Sequence, residues 1–357
     1  MFIKVVHIVR QFYPSIGGLE SHVESLALEQ IKQGHRVYVV TLNYSFSKNL
    51  KLNSEEKYKG IHIFRVKHLF GKKYPAFIGV KKVIKEIEPD IIHIHAIDSF
   101  LEYSVFFLRK YKKAISTHGG FFHTNSKSIF KKLFFSSITR NSLRYIDKVI
   151  AISKSDYNKF SEIVDERNLL LNENAVEDYG PESEAKMDQL LFVGRFSVNK
   201  NIKKLIEISS YLSIKKIIIA GVEYDYKRED IIKLKEKYDK DNKVEVRIGV
   251  TREELKELYR ETKYFISLSD YEGFGMTAIE AMSAGCIPIL NNIPQFKRII
   301  SESEVGFLID ISDEKNAIEL INKGIKQEID NSKCLDYAKK FSWQNNCSKV
   351  MKVYEDL

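Results

Sequence analysis

Cysteine is scarce in this chain. Three occur in 357 residues, Cys286, Cys334 and Cys347, and none stands in a CxxC pair. An odd, scattered set argues against a disulfide framework and fits idle thiols in a reducing, cytoplasmic compartment. Long apolar runs are also missing. No stretch approaches the roughly 20 residues of a membrane-spanning helix. The opening Met1–Arg10 is too short and too interrupted for a secretory leader and reads as a first β-strand. There is no internal repeat, no low-complexity tract and no GxGxxG, so a dinucleotide-binding reading has little to stand on.

What is present is size and alternation. A length of 357 residues with 44% hydrophobic residues is enough for two ordinary domains. Short β-rich runs alternate with helical patterns from end to end. In the first half the runs lie near 2–10, 36–42, 61–66, 90–95, 113–118, 147–153 and 167–171. In the second they lie near 189–195, 215–221, 243–249, 264–269, 286–291 and 306–310. Between the first two, Leu19–Ile31 carries apolar residues at helical spacing and ends at Gly34. Buried strands separated by amphipathic helices predict α/β domains with parallel sheets covered on both faces. The polar, acidic stretch 172–188, with Gly180-Pro181, reads as a linker. It divides a domain of residues 1–171 from one of residues 189–342.

Charge is uneven. The net charge is +9, yet residues 1–170 carry 28 Lys and Arg against 15 Asp and Glu, while residues 171–357 carry 29 against 33. The excess in the first half points to an anionic partner for that half or to plain solubility. Around it, Phe107–Lys113 and Gly120–Arg140 interleave aromatics with lysines, a composition suited to an anionic membrane surface and equally to a core-facing phenylalanine stripe. No nucleic-acid-binding motif accompanies the basic residues, so no nucleic-acid partner is expected.

The densest chemistry lies in Ser269–Ala281. A strand at Tyr264–Leu268 leads into a glycine turn and a helix closed by Gly285. Such a turn offers unpaired backbone N–H groups and the positive end of a helix dipole to an anion. Glu272 and Glu280 bracket it, eight residues apart. A ligand with an anionic middle and hydroxyl-bearing ends, such as a nucleotide-sugar, answers to that pattern. Gly17-Gly18, after the first strand, opens another helix. Arg195 and Lys200 follow a strand in Val193-Gly194-Arg195, where two fixed cations would stabilise a departing diphosphate. Asp239-Lys240-Asp241 spells a metal-binding Asp-x-Asp but sits in a charged turn and reads as a solvated loop. His93 and His95 share one strand face as a metal pair would, but no third ligand is evident, so satisfied histidines are expected there.

Glu272-x7-Glu280 enclosing Gly273-Phe274-Gly275 resembles the signature of retaining family-4 glycosyltransferases. The other loops match in order over nearly the whole chain, and the opening Arg10–Glu20 is similar to bacterial surface-polysaccharide and O-antigen transferases. The resemblance implies a GT-B fold, two doubly wound Rossmann-like domains facing each other across a cleft. The helix 343–357 would cross back to the first, acceptor-binding domain. It also implies roles. His118, in Ser116-Thr117-His118-Gly119-Gly120, would line the reacting carbon and support a sugar hydroxyl. Glu272 would hold hydroxyls of the transferred sugar and Glu280 those of the ribose. Backbone near Phe274, Gly275, Met276 and Thr277 would hold sugar and phosphate. Gly17 and Gly18 would face the diphosphate, and Arg195 and Lys200 would clamp it. No metal and no other cofactor would be required. The expected partners are a nucleotide-sugar, GDP-mannose or a UDP-hexose, and a glycan or lipid-linked glycan acceptor, with the enzyme peripheral at the inner membrane face. A nucleotide-sugar epimerase shares the architecture but not the Glu272–Glu280 pattern with Arg195 and Lys200. A basic nucleic-acid-binding protein would explain the charge of the first half and none of the loops.

Overall fold

The structure is a computed structural model that describes residues 2–15, 17–46, 48–69, 76–97, 101–118, 135–180 and 186–357. The chain forms two compact units. One comprises Met1–Ala175 and Trp343–Leu357, the other Val176–Ser342.

The first unit is built on strands β1 (Lys4–Ile8), β2 (Arg36–Leu42), β3 (Tyr44–Ser45), β4 (Leu50–Lys51), β5 (Glu55–Tyr58), β6 (Ile61–Leu69), β7 (Ala76–Ile78), β8 (Ile91–His95), β9 (Lys112–Ser116), β10 (Lys148–Ala151) and β11 (Leu169–Leu171). The sheet runs β11-β10-β9-β8-β1-β2-β6-β5, with β7 also on β6. From β11 to β6 every pairing is parallel. β5 and β7 add antiparallel to β6, and β3 and β4 form a separate small ribbon. Consecutive β-branched residues make the central strands apolar on both faces, as a doubly covered sheet requires. One face packs Val6, Ile8, Ile92, Ile94 and Ile115. On the other, Val5, Ile91, Ala114 and Ile150 pack against Leu26 and the helix Trp343–Glu355 through Cys347, Val350, Met351, Val353 and Tyr354. Each large side chain so buried contributes about 1.5–3 kcal/mol. The last helix is therefore an integral layer of the first unit.

The second unit is a six-stranded parallel sheet ordered β14 (Val244–Ile248), β13 (Ile217–Glu223), β12 (Met187–Phe196), β15 (Thr262–Ser267), β16 (Ile287–Asn291) and β17 (Phe307–Ile309). Helices Ile202–Ile208, Arg228–Tyr238, Arg252–Glu261, Met276–Ser283, Pro294–Ser303 and Glu314–Ile325 alternate with the strands. Thr251 and Glu254 close a reciprocal capping box on the third of these. β12 and β13 approach closely at Gly194 and Gly221. A Cβ on Gly221 would lie 1.8 Å from the Gly194 carbonyl oxygen, so only glycine fits.

Three expectations change. The stretch 172–188 is not a free linker along its described part, because Asn172, Ala175, Val176 and Tyr179 are buried and the unit boundary falls after Ala175. Asp239 is not a solvated residue of an Asp-x-Asp pair. Its carboxylate is buried and accepts the Lys243 and Val244 backbone N–H groups, closing the turn before β14. Lys113 leaves the basic aromatic face: it is buried, and its ammonium donates to the carbonyls of Leu108 and Tyr111. Of the remainder of that face, Phe107 is exposed and Arg109 lies against the rings of Phe106 and Tyr145. Residues 119–134, its centre, lie outside the described residues.

Candidate functional site

The second unit gathers its polar residues at the carboxyl ends of β12 and β15. Arg195 is the penultimate residue of β12 rather than part of the following loop. Its guanidinium lies 4.9 Å from the centre of the Tyr224 ring, a cation–π contact that holds an exposed cation in place. Lys200 ends a short turn, Val198–Lys200, and its ammonium forms an ion pair with Glu272 Oε1. The same oxygen accepts from Ser269 Oγ at 3.0 Å. Both partners of the pair are largely shielded, Lys200 at 14% and Glu272 at 16% side-chain exposure.

The loop carrying Glu272 is tied down on several sides. Asn201 donates to the Leu268 carbonyl and the Asp270 carboxylate, Asn291 to the Ser269 carbonyl, and Gln295 to the Phe274 carbonyl. Gly275 then caps the helix Met276–Ser283 with φ of 83°, a left-handed value that favours glycine. A Cβ there would also press on Ile299 Cδ1 at 2.9 Å. Phe274 is buried and packs edge-on against Phe341, so its side chain anchors the turn and leaves only its backbone for a ligand. Met276 is exposed. Thr277 offers its carbonyl to the Tyr259 hydroxyl at 3.4 Å.

Glu280 sits just over one turn into this helix and receives the same Tyr259 hydroxyl at 3.3 Å. Burial pushes its carboxyl up to about 7, Tyr259 pulls it down, Glu177 raises it further and Arg252 lowers it. A carboxyl held near neutrality and half-satisfied is short of hydrogen-bond donors, which a diol would supply.

In the first unit, His118 follows β9 with φ of 45°, and Ala96 follows the neighbouring β8 with φ of 79°. Two non-glycine residues in left-handed backbone at adjacent strand ends mark a strained locus, and such strain collects at ligand sites. Thr117 anchors the turn by donating to the buried Asp156 carboxylate at 2.6 Å. The histidine pair of β8 does have further neighbours. His7 on β1 and His22 on the helix Gly18–Lys32 join His93, His95 and His118. His7, His93 and His95 form one close trio, and His22, His95 and His118 another. Every ring nitrogen of the buried trio is engaged in a hydrogen bond, which is the arrangement of satisfied core histidines. Burial keeps all five rings neutral, His7 and His22 down to about 4. Sequence reasoning missed His7 and His22; His7 stands directly beside His93 in the β1–β8 register.

Gly17 and Gly18 are not needed for backbone conformation. Gly17 is extended, with φ of −170°, and Gly18 opens the helix. The Glu20 carboxylate folds back over this helix start, accepting its own backbone N–H with Arg10 nearby, and burial raises its pKa. It lies where a Cβ on Gly17 would be. An incoming phosphate would find that helix end already served by a carboxylate.

Comparison with known proteins places these loops in a family. Residues 16–169 match the family described as Glycosyltransferase Family 4, and residues 178–341 match Glycosyl transferases group 1. The chain is 34% identical over 372 residues to the GDP-mannose:cellobiosyl-diphosphopolyprenol alpha-mannosyltransferase of Xanthomonas oryzae, across 99% of this chain and 97% of that one. The Komagataeibacter xylinus protein of the same name is 30% identical, across 99% and 93%. Among solved structures, a sucrose-phosphate synthase from Thermosynechococcus elongatus matches with a TM-score of 0.72 at 16% identity, over 99% of this chain and 98% of that chain. A glycosyltransferase from Rickettsia africae matches with a TM-score of 0.72 at 19% identity, over the same shares. The structural likeness identifies the fold as GT-B, the sequence likeness runs nearly end to end, and the chain is a family-4 glycosyltransferase.

Proposed function

We propose that the protein transfers mannose, with retention, from GDP-mannose to a hydroxyl of a lipid-linked glycan in surface-polysaccharide assembly. The observation that carries this is the 34% identity, spread over 99% of the chain, to a mannosyltransferase whose name states both substrates. A UDP-hexose is the second donor to test, since solved GT-B neighbours include a complex with UDP and glucose.

In this reading Lys200 and Arg195 take the diphosphate, and the charge they neutralise is greatest as the glycosidic bond breaks. Glu272 holds sugar hydroxyls, Glu280 the ribose diol, and the turn Phe274–Thr277 offers N–H groups at a helix start. With two cations assigned to the diphosphate, the reading requires no metal. His118 lines the sugar. The oxygen of Glu272 that accepts the Ser269 hydroxyl hydrogen bond is also the one paired with Lys200, which suits a hydroxyl ligand better than a nucleophile. Retention is then front-face, the departing phosphate oxygen accepting the proton of the acceptor hydroxyl as the new bond forms. An acceptor carried on a lipid would put the enzyme at a membrane face, and the exposed Phe107, Arg109 and Lys110 suit such a surface.

Incubation with GDP-mannose and a polyprenyl-diphosphate disaccharide tests the whole reading. The expected product is the α-mannoside, formed equally with and without magnesium. A β-linked product ends the retaining mechanism, and consumption of UDP-glucose alone changes the donor.

A pH series tests Glu280 by itself. A carboxyl titrating near 7 that binds the ribose as its anion is about one-eleventh ionised at pH 6 and ten-elevenths at pH 8. GDP affinity, measured by calorimetry, should therefore fall about tenfold from pH 8 to pH 6. In E280Q it should be weak and flat. A wild-type affinity that does not change with pH removes Glu280 from the ribose.

A further inference from the structure

The histidine cluster has a direction. His7 Nε2 lies 2.7 Å from Gln30 Oε1, His7 Nδ1 lies 2.8 Å from His95 Nε2, and His95 Nδ1 lies 3.2 Å from His118 Nε2. Gln30, His7 and His95 are fully buried, so each contact needs one proton between its two atoms. A neutral imidazole donates through one nitrogen and accepts through the other. Fixing the proton at either end of the row therefore fixes it throughout.

Gln30 is the end that decides. Its amide nitrogen faces Met351 Sδ at 3.8 Å. The Tyr354 hydroxyl lies on the same side and bonds the amide as well. A thioether has no hydrogen to donate, and the hydroxyl can give its own to His93 Nδ1 at 2.6 Å, so the amide N–H belongs on that side and the carbonyl oxygen on the side of His7. His7 must then donate from Nε2 and accept at Nδ1. His95 donates from Nε2 and accepts at Nδ1, and His118 does the same. No described residue hydrogen-bonds His118 Nδ1, which is left as a bare lone pair at the strained end of β9.

We infer that Gln30 is a positioning residue: through His7 and His95 it holds His118 in the Nε2–H form and presents Nδ1 as an acceptor to a sugar hydroxyl. This rests on the reading of His118 as a sugar ligand. It adds a specificity rule, because the sugar group met by His118 must donate a proton. A sugar carrying fluorine in place of that hydroxyl loses the contact, whereas His118 in the opposite form would tolerate it.

The test begins with wild-type protein labelled with 15N in its histidines, with the His118 signals identified by their loss in H118Q. Two-bond 15N–1H correlation spectra distinguish a protonated ring nitrogen from a bare one. His7, His95 and His118 are each expected to show a protonated Nε2 and a bare Nδ1. In Q30M, which removes the acceptor while keeping the bulk, His118 should lose its single form and show both. Its kcat/KM for nucleotide-sugar should fall in proportion to the fraction of His118 left in the Nε2–H form, about twofold at equal populations, with GDP affinity unchanged. A wild-type His118 protonated on Nδ1 overturns the inference even if Q30M does not fold, and so does a Q30M spectrum identical to wild type. The spectra need no sugar. Should they match expectation while no nucleotide-sugar is consumed, the proton order set by Gln30 stands and the donor assignment is what fails.

Discussion

Replacing Lys200 by Ala is expected to lower kcat by about 10²–10³, the range for removing one preorganised group that stabilises transition-state charge. The substitution also has a structural cost. Lys200 and Glu272 are paired and largely shielded, so losing the lysine leaves a carboxylate with Ser269 Oγ as its remaining partner among the described residues. Breaking a fully buried pair costs about 3–5 kcal/mol, and this partly shielded one should cost roughly 2. The two effects separate in a second variant. K200A with E272Q removes the stranded charge, so thermal stability should recover most of its loss. Turnover should not recover, because neither cation nor carboxylate is restored. Measured stability and single-turnover rates of the four proteins make a double-mutant cycle in which the stability terms couple and the rate terms do not cancel. A K200A enzyme within tenfold of wild-type kcat would show that the diphosphate is neutralised elsewhere, Arg195 at the end of β12 being the other cation assigned to it.

On the proposed reading the pairing has a functional meaning as well. The residue meant for the diphosphate and the residue meant for the sugar neutralise each other while no donor is bound. Binding a nucleotide-sugar would then exchange this internal pair for contacts with the ligand, and the charges would reach their places without first being desolvated.

Much of this was legible in the chain. The central strands announce themselves because a sheet covered on both faces needs consecutive β-branched residues, as in Ile217–Ala220 and Ile91–His95. The edge of the first sheet was silent for the opposite reason. β5 reads Glu55-Glu56-Lys57-Tyr58 and is exposed or half-exposed at every position, so it has no buried face to create a pattern. The strand–turn–helix around Glu272 was visible because its glycine and its two carboxylates are local. Contacts made across the sheet were not. His7 meets His95 across 88 residues because parallel strands bring them together, and no spacing rule reaches that far. Glu20 over the first helix start was equally hidden, since the glycines before it look like a phosphate cradle whether or not a carboxylate already lies there. Nor does any local pattern say that Lys113, one of four cations in Arg109–Lys113, turns inward to two carbonyls.

The histidines also set how the protein fails in acid. All nine lie in residues 1–123, within the first unit, and the second has none. In the unfolded chain each binds a proton near pH 6.5. In the folded state desolvation holds His7 and His22 neutral down to about 4, and His93, His95 and His118 are lowered well below their ordinary value. Between those limits the unfolded state holds more protons, so stability falls as pH falls. Above about pH 7 the rings cost nothing. By pH 4, His7 and His22 alone would each remove about 3 kcal/mol, a large share of the ~5–15 kcal/mol that a domain possesses. The second unit responds in the opposite sense at first. Glu280 takes up its proton near 7 in the folded state and only near the ordinary carboxyl value when unfolded, so acidification through that window favours the folded form. Its lowered carboxyls, Glu245, Glu254, Asp310 and Asp330, begin to cost stability only as pH falls through the acid range below the ordinary carboxyl value. The first unit should thus unfold at a higher pH than the second. One tryptophan reports it. Trp343 starts the last helix of the first unit, with its ring 5.1 Å from that of His22. Its emission should shift red with a midpoint between pH 6 and 4.5 while much of the far-ultraviolet circular dichroism persists to lower pH, and H22Q should move that midpoint down. Coincident loss of both signals below pH 4 would mean that the histidine cluster does not govern the acid stability of its domain.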